Sequence, residues 1–292
     1  MDLYNRLELG DIRNVAEKEQ EKYFYVPIYQ ILPLKYAKMI LANKELRFNN
    51  VFNHWDDPYE LFLFKQNIFI EGTPLTIRDF DKRHYGQCWS LNKDTDAMWR
   101  IYSPNKKSVR LRTTIGKMIE LLNQTRGMFE ACPAFGLVKY VDKEFIINYL
   151  RGIEKGGSGR FFEKIFDSLF YKRKEFSHEK EVRFIIKTGD IVYNKCQFVE
   201  GEYLNLKIDS NNFIEEIALD PRLDSDEVER IKNELLAINN SVSICQSDLY
   251  AFESLQMNLS HTPMRIVNAL DKYNKRNKPV LFYSTNKHKP KR

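Results

Sequence analysis

Residues 177–184 of this 292-residue chain read SHEKEVRF and set Glu179, Glu181 and Arg183 at alternate positions. Val182, Phe184 and Ile186, between and beyond them, are apolar. Side chains alternate between the two faces of a strand. The segment therefore predicts an apolar face backed by a wall of two carboxylates and a guanidinium. A fixed carboxylate can stabilise positive charge that develops during a reaction, and a neighbouring arginine keeps it ionised. A solvated face with an ordinary salt bridge would show the same spacing. Further groups able to do chemistry are Asp57 and Glu60 in NHWDDPYE, Ser90 at the end of HYGQCWS, and Trp99 and Tyr102 in DTDAMWRIYS. Each has a structural reading too. The acids suit a turn and a helix start, Ser90 suits an N-cap, and two aromatics one helical turn apart suit a core.

The elements that must position these groups follow from local pattern. YFYVPIYQI, rich in aromatic and β-branched residues, predicts a strand containing Tyr29. LPLKYAKMILANKEL has the three-and-four spacing of an amphipathic helix, and LRFNN, with Arg47, follows as a short strand. Asp-Pro in NHWDDPYE predicts a turn. HYGQCWSL reads as a strand, DTDAMWRIYS as a short helix capped by Asp94, KSVRLRTT as a strand, IGKMIELLNQT as a helix and FGLVKYV as a strand. KEFIINYLRGI is a helix expected to end at the loop KGGSGR. FFEKIFDSLFYKRKEF is expected to be helical up to the SHEKEVRF strand. FIEEIALDP, SDEVERIKNELLAI and SVSICQSDLY then read as strand, helix and strand. There is no βαβ rhythm, no G-x-G-x-x-G and no P-loop, so the fold class is α+β with a mixed, largely antiparallel sheet and interspersed helices.

Composition bounds the function. At 43% hydrophobic the chain can bury a substantial core. Its four cysteines stand far apart with no C-x-x-C pair, against a zinc cluster or a disulfide scaffold. The five histidines have no metal-ligand spacing. The charged N-terminus has no signal core and no apolar run is long enough for a membrane span, so a soluble cytoplasmic protein without membrane contact is expected. The net charge of +6 is uneven: from Pro263 onward nine basic residues face one acid, which leaves residues 1–262 at −2. The expected organisation is a charged helix over 1–22, an α+β domain over 23–262 and a basic arm over 263–292.

The ordered series LRFNNVFNHWDDPYE, CWSLNKDTDAMWRIYS, GLVKYV, KRKEFSHEKEVRF and IEEIALDP resembles an uncharacterised bacterial family found near mobile elements and phage-defence genes. That family shows N-D-P-[FY]-E, C-F-S with M-W-x-x-Y, and W-x-x-E-x-E-x-R. Asp56, Trp89 and Phe176 depart from it, standing where it has Asn, Phe and Trp. Its early Tyr-Lys-Tyr-Arg strand is represented only by Tyr29. The same order resembles, more distantly, that of ADP-ribosyltransferases. This resemblance implies NAD as cofactor, ADP-ribosyl transfer or NAD cleavage through a cationic, oxocarbenium-like state, and a role as toxin or defence effector. It implies Glu181, Glu179 and Tyr102 as catalytic residues and Tyr29, Arg47, Asp57, Ser90, Trp99 and Arg183 as cofactor contacts, Arg183 either on a glutamate or on the pyrophosphate. The implied partners are a nucleic-acid or protein acceptor and an antitoxin or other defence-system protein.

Two other classes fit the residues. A metal-dependent nuclease could use Asp57, Glu179 and Glu181 as oxygen ligands for Mg²⁺. Such a site wants a nearby lysine, and Lys180 faces away on a regular strand. A non-catalytic nucleic-acid-binding or regulatory module would explain the basic arm. Deleting Asn286 to Arg292 removes four of the nine basic residues. If the arm meets phosphates, the truncated chain should bind nucleic acid more weakly, its log–log salt slope flattened by about one unit per lost contact. Unchanged affinity and slope in a salt titration would leave the arm a solubilising tail.

Overall fold

Alternation in the sequence is reproduced in the elements of a computed structural model, which describes residues 10–11, 23–75, 83–123, 133–188, 197–199, 201–254, 256, 268 and 270–273. In chain order these form β1 (Gly10–Asp11), β2 (Pro27–Pro33), α1 (Leu34–Asn43), β3 (Glu45–Asn50), the single turn α2 (Val51–His54), and the short pair β4 (Phe69–Ile70) and β5 (Thr73–Pro74). Next come β6 (His84–Ser90), α3 (Asp96–Tyr102), β7 (Ser108–Thr114), α4 (Ile115–Asn123), β8 (Pro133–Leu137), β9 (Lys139–Val141), α5 (Lys143–Lys164), β10 (Tyr171–Arg173) and β11 (Glu181–Lys187). The last are β12 (Gln197–Val199), β13 (Tyr203–Lys207), α6 (Ser210–Phe213), β14 (Glu216–Leu219), α7 (Ser225–Ile238) and β15 (Ser243–Gln246). The architecture is α+β. Most pairings of its main sheet are antiparallel, and β14 with β15 is parallel.

The sheet forks at β6. One edge of β6 pairs with β11 along its whole length, from Glu181↔Ser90 to Lys187↔His84. The other edge is divided. β2 takes its end at Tyr29↔Ser90, while β3 takes its beginning at Asn49↔Gly86 and Asn50↔Tyr85. From β2 the sheet continues through β7 to β14 and β15; from β3 it continues through β13 to β12. Backbone groups in the notch need partners, and amide side chains supply them. Gln30 Nε2 donates to Gln87 Oε1 and to the Cys88 carbonyl, each at 2.9 Å, and Gln87 Nε2 donates to the Arg47 carbonyl.

Beneath the sheet Ile28, Phe48, Trp89, Leu111, Phe184 and Ile217 form the principal core. A separate cluster of Phe62, Leu63, Ile146, Ile153 and Phe161 anchors α5. No helix of the described residues is long and apolar enough to cross a membrane.

Several local expectations are corrected. The expected end of the KEFIINYLRGI helix is met at Gly157, inside KGGSGR, whose φ of 71° and ψ of −169° suit only glycine, but a second helical stretch follows directly and carries α5 to Lys164. FFEKIFDSLFYKRKEF is helical only at its start. It breaks into a 3₁₀ turn at Asp167–Phe170, then β10, then a second 3₁₀ turn at Lys174–Glu179. Thr95 caps α3, accepting from the Met98 N–H at 3.1 Å, and Asp94 instead accepts from Trp99 Nε1 at 2.6 Å and from Arg110. Of the opening segment, Gly10–Asp11 pairs as a strand with β8, and the remainder of 1–22 lies outside the described residues. The chain divides into units 1–250 and 251–292. In the second, the PVLFYS segment and the basic end lie outside the described residues.

Gly116 on α4 is packed against Phe24. A Cβ there would lie 2.5 Å from the Phe24 ring and 2.6 Å from its carbonyl oxygen, whereas one on Gly152 of α5 would meet nothing within 4 Å. Gly116→Ala should destabilise by about 1–3 kcal/mol, overpacking outweighing the helix-propensity gain. Gly152→Ala should stabilise by roughly 0.5–1 kcal/mol. Denaturant melts of the two variants check both signs.

Candidate active site

β11 begins at Glu181, so the expected strand covers only part of SHEKEVRF. Glu179 ends the 3₁₀ turn, and Lys180 after it is left-handed, at φ 43° and ψ 55°. Alternation thus does not explain why Glu179 and Glu181 share a wall; the reversal at Lys180 does. Ser90 secures that reversal, its hydroxyl donating to the Glu179 carbonyl, and Asn92 Nδ2 donates to the His178 carbonyl at 2.6 Å. Glu181 is held through its backbone, its N–H donating to Tyr140 Oη and its carbonyl accepting from the Val138 N–H, both at 2.9 Å.

The two carboxylates meet one ammonium. Lys172 Nζ donates to Glu179 Oε2 at 2.6 Å and to Glu181 Oε2 at 3.1 Å, and sits 4.8 Å from the centre of the Phe176 ring. Lys172 escaped the sequence reading because β10 was taken for the end of a helix; KRKEF carries no local sign that this lysine turns inward. Tyr102, the last residue of α3, donates its hydroxyl to Glu179 Oε1 at 2.6 Å.

Arg183 is 1% exposed and every nitrogen of its guanidinium is used. Nε donates to Glu181 Oε1 at 2.8 Å, Nη1 to the Leu169 carbonyl at 2.6 Å, and Nη2 to Glu60 Oε1 and Glu181 Oε2. Its plane lies 3.8 Å from the Trp55 ring centre. This arginine orients glutamates: four of its five N–H groups are taken, and its burial turns it away from a pyrophosphate. Asp57 accepts from the Tyr59 N–H at 3.0 Å and pairs with Arg173 at 3.0 Å, shaping the loop that delivers Glu60.

These groups line a cleft of about 600 Å³ with Tyr29, Cys88 and Met98. Of the residues expected at a site, the fold brings together Tyr29, Asp57, Ser90, Tyr102, Glu179, Glu181 and Arg183. It does not bring Trp99 or Arg47. Trp99 is fully buried with its indole N–H on Asp94, and so belongs to the core. Arg47 lines a separate cleft.

Electrostatics hold the cleft in one protonation state. Burial pushes the Glu181 carboxyl up, but Arg183 and Lys172 outweigh it and bring it down to about 2. Burial, followed by the Glu179 carboxylate, raises the Tyr102 hydroxyl, so it remains a donor. Burial would discharge Lys172, but Glu181, Glu60 and Glu179 more than compensate and keep it charged. Burial and then Glu181 push the Cys88 thiol well up, away from nucleophilic thiolate. Three buried carboxylates (Glu60, Glu179, Glu181) thus stand around Lys172 and Arg183, and burial raises the Glu60 carboxyl despite its arginine partner. Lys172 is thus the nearby lysine that the nuclease reading wanted and Lys180 could not supply. Among the described residues no group of His, Cys, Asp and Glu is arranged to hold a metal ion.

A family profile described as "Protein of unknown function (DUF2971)" matches residues 98–184, the stretch from α3 to β11 that contains Tyr102, Lys172, Glu179, Glu181 and Arg183. No curated protein matches the chain. Three solved chains of Thermus sp. 2.9 DarT, each 12% identical over 78% of this chain, are similar to it. They are the complexes with carba-NAD+ (98% of that chain, TM-score 0.34), with ADP-ribosylated ssDNA (96%, 0.36) and with NAD+ (98%, 0.34). A likeness this slight assigns no role to any residue here.

Glu181 is buried between Arg183 and Lys172. Removing one partner of a buried pair costs about 3–5 kcal/mol, so Glu181→Gln should be markedly less stable at neutral pH. Because the folded carboxyl titrates near 2 rather than 4.5, its stabilisation is complete above the unfolded value and fades as pH falls towards the folded one. The stability gap between wild type and Glu181→Gln should therefore narrow from about pH 4.5 downward. Denaturant melts across acid pH test this, and a constant gap would contradict the ionised pair.

Proposed function

We propose that this cleft cleaves NAD and transfers its ADP-ribosyl group. The observation that carries the reading is the Glu181 carboxylate, held ionised and in place by Arg183 and Lys172, in a cleft edged by Trp55, Phe176 and Tyr102. NAD, as the substrate, supplies a ribose–nicotinamide bond whose breaking builds positive charge on the ribose while the ring leaves with the bonding electrons. Glu181 is fixed in its ionised form to stabilise that charge without reorganisation. Glu179, aimed by Tyr102 and Lys172, receives the proton that an attacking acceptor or water gives up as its bond to the ribose forms. Arg173 is about one-third exposed along its side chain, and it replaces Arg183 as the guanidinium suited to the pyrophosphate. The cleft volume of about 600 Å³ lies within the usual range for small-molecule sites.

The test is incubation of purified protein with labelled NAD and cell extract, following nicotinamide release and digesting labelled products with nuclease or protease. Glu181→Gln, checked for folding at a temperature well below its melt, should lose on the order of 10²-fold or more of nicotinamide release. Undiminished release from the folded variant would remove Glu181 from the chemistry. Activity abolished by chelator and restored by Mg²⁺ would favour the nuclease reading instead.

A further inference from the structure

A second cleft, of about 570 Å³, lies on the β3–β13 branch of the fork and shares Gln30 and His54 with the first. Its floor follows from strand pairing. On β3, Leu46, Phe48 and Asn50 are buried while Glu45, Arg47 and Asn49 take the opposite face. In the antiparallel register Asn49 faces Tyr203, Arg47 faces Asn205 and Glu45 faces Lys207. Cross-strand contacts organise this face. Arg47 lies flat on the Tyr203 ring at 3.9 Å and its Nε donates to Asn205 Oδ1 at 3.1 Å. Asn205 Nδ2 donates to Glu45 Oε2 at 3.1 Å, and Lys207 pairs with Glu45 at 2.7 Å.

The Glu45 carboxylate is therefore occupied, and the guanidinium is oriented through Nε alone. Among the described residues the terminal nitrogens of Arg47 and the side-chain amide of Asn49 have no hydrogen-bond partner. At the same cleft Tyr36 and Met39 are 45% and 44% exposed. The cleft thus combines a pre-oriented, stacked arginine fork, a free amide and exposed apolar surface. These are the elements that read the edge and cover the face of a planar, polar-edged ring.

We infer that this second cleft receives an unpaired nucleobase of a single-stranded nucleic-acid acceptor, Arg47 and Asn49 reading its edge. The inference rests on the first cleft being the NAD site. The meeting of the two clefts at Gln30 and His54 puts a base held here next to the transfer chemistry. A base within a duplex presents neither a free face nor a full edge, so selection is for single strands. Arg47, implied by family resemblance as a cofactor contact, becomes an acceptor contact.

Fluorescence anisotropy of the full chain with labelled short single-stranded DNA, single-stranded RNA and duplex, without NAD, tests this. A single strand should bind more tightly than duplex, and whichever of DNA or RNA binds better identifies the acceptor's sugar. Arg47→Ala should weaken that binding about tenfold. Arg47→Lys, which keeps the charge but loses the fork, should also weaken it, separating edge recognition from simple phosphate attraction. Nicotinamide release in the absence of acceptor should persist in both variants, with folding verified by thermal melts. The inference fails if the folded variants bind like wild type, if duplex binds as well as single strand, or if labelled ADP-ribose from extract is recovered only in protease-sensitive material. It also fails if Arg47→Ala raises KM for NAD and leaves oligonucleotide affinity alone, which would give the cleft to the dinucleotide. Wild type that binds single strands through Arg47 yet releases no nicotinamide would refute the NAD reading while leaving the base site standing.

Discussion

A guanidinium without water must be answered on all its donors, and in this fold that guanidinium belongs to Arg183. Leaving a buried charge unpaired costs several kcal/mol, so the surrounding segments are placed by what they contribute to it. The 55–60 loop brings Trp55 beneath the plane and Glu60 to one end, the 3₁₀ turn at 167–170 offers the Leu169 carbonyl, and β11 supplies Glu181 two residues away. Three stretches distant in sequence are thus tied to one side chain. Arg183 is a positioning residue: it determines where Glu60 and Glu181 stand and, with Lys172, keeps Glu181 ionised.

Lys172 completes the arrangement from the opposite side. A second cation lets Glu179 and Glu181 stand close together, since Lys172 bridges two groups that would otherwise repel. In the proposed reaction the acceptor approaches from a neighbouring surface.

The fork at β6 provides that neighbouring surface. A continuous sheet would have filled the notch with main-chain hydrogen bonds. Here β2 and β3 divide one edge, and two glutamine side chains stand in for the missing ladder. The divergence opens one cleft beside the end of β6 and another on the β3 branch. Gly86 sits where the branch begins, with Val51 only 3.0 Å from where a Cβ would lie, so the close approach of α2 to β6 depends on a missing side chain.

Local pattern by itself determined the amphipathic α1, the alternation of β3, the helix α7, and the α+β class, because each depends on neighbours within a few residues. It also offered Glu179, Glu181, Arg183 and Tyr102 as groups able to do chemistry, without separating them from a solvated face or a core. What it could not supply was Lys172, Glu60 paired to Arg183, or the removal of Trp99 and Arg47 from the first cleft. Glu60 and Arg183 are 123 residues apart and Arg47 meets Asn205 158 residues away, while Lys172, only seven and nine residues from Glu179 and Glu181, reaches them because the chain reverses between β10 and β11. The SHEKEVRF segment shows the division most plainly. Its two glutamates do share a wall, but a left-handed Lys180 and a turn secured by Ser90 put them there, and only tertiary contacts could stabilise that backbone against the extended strand that its alternation favours.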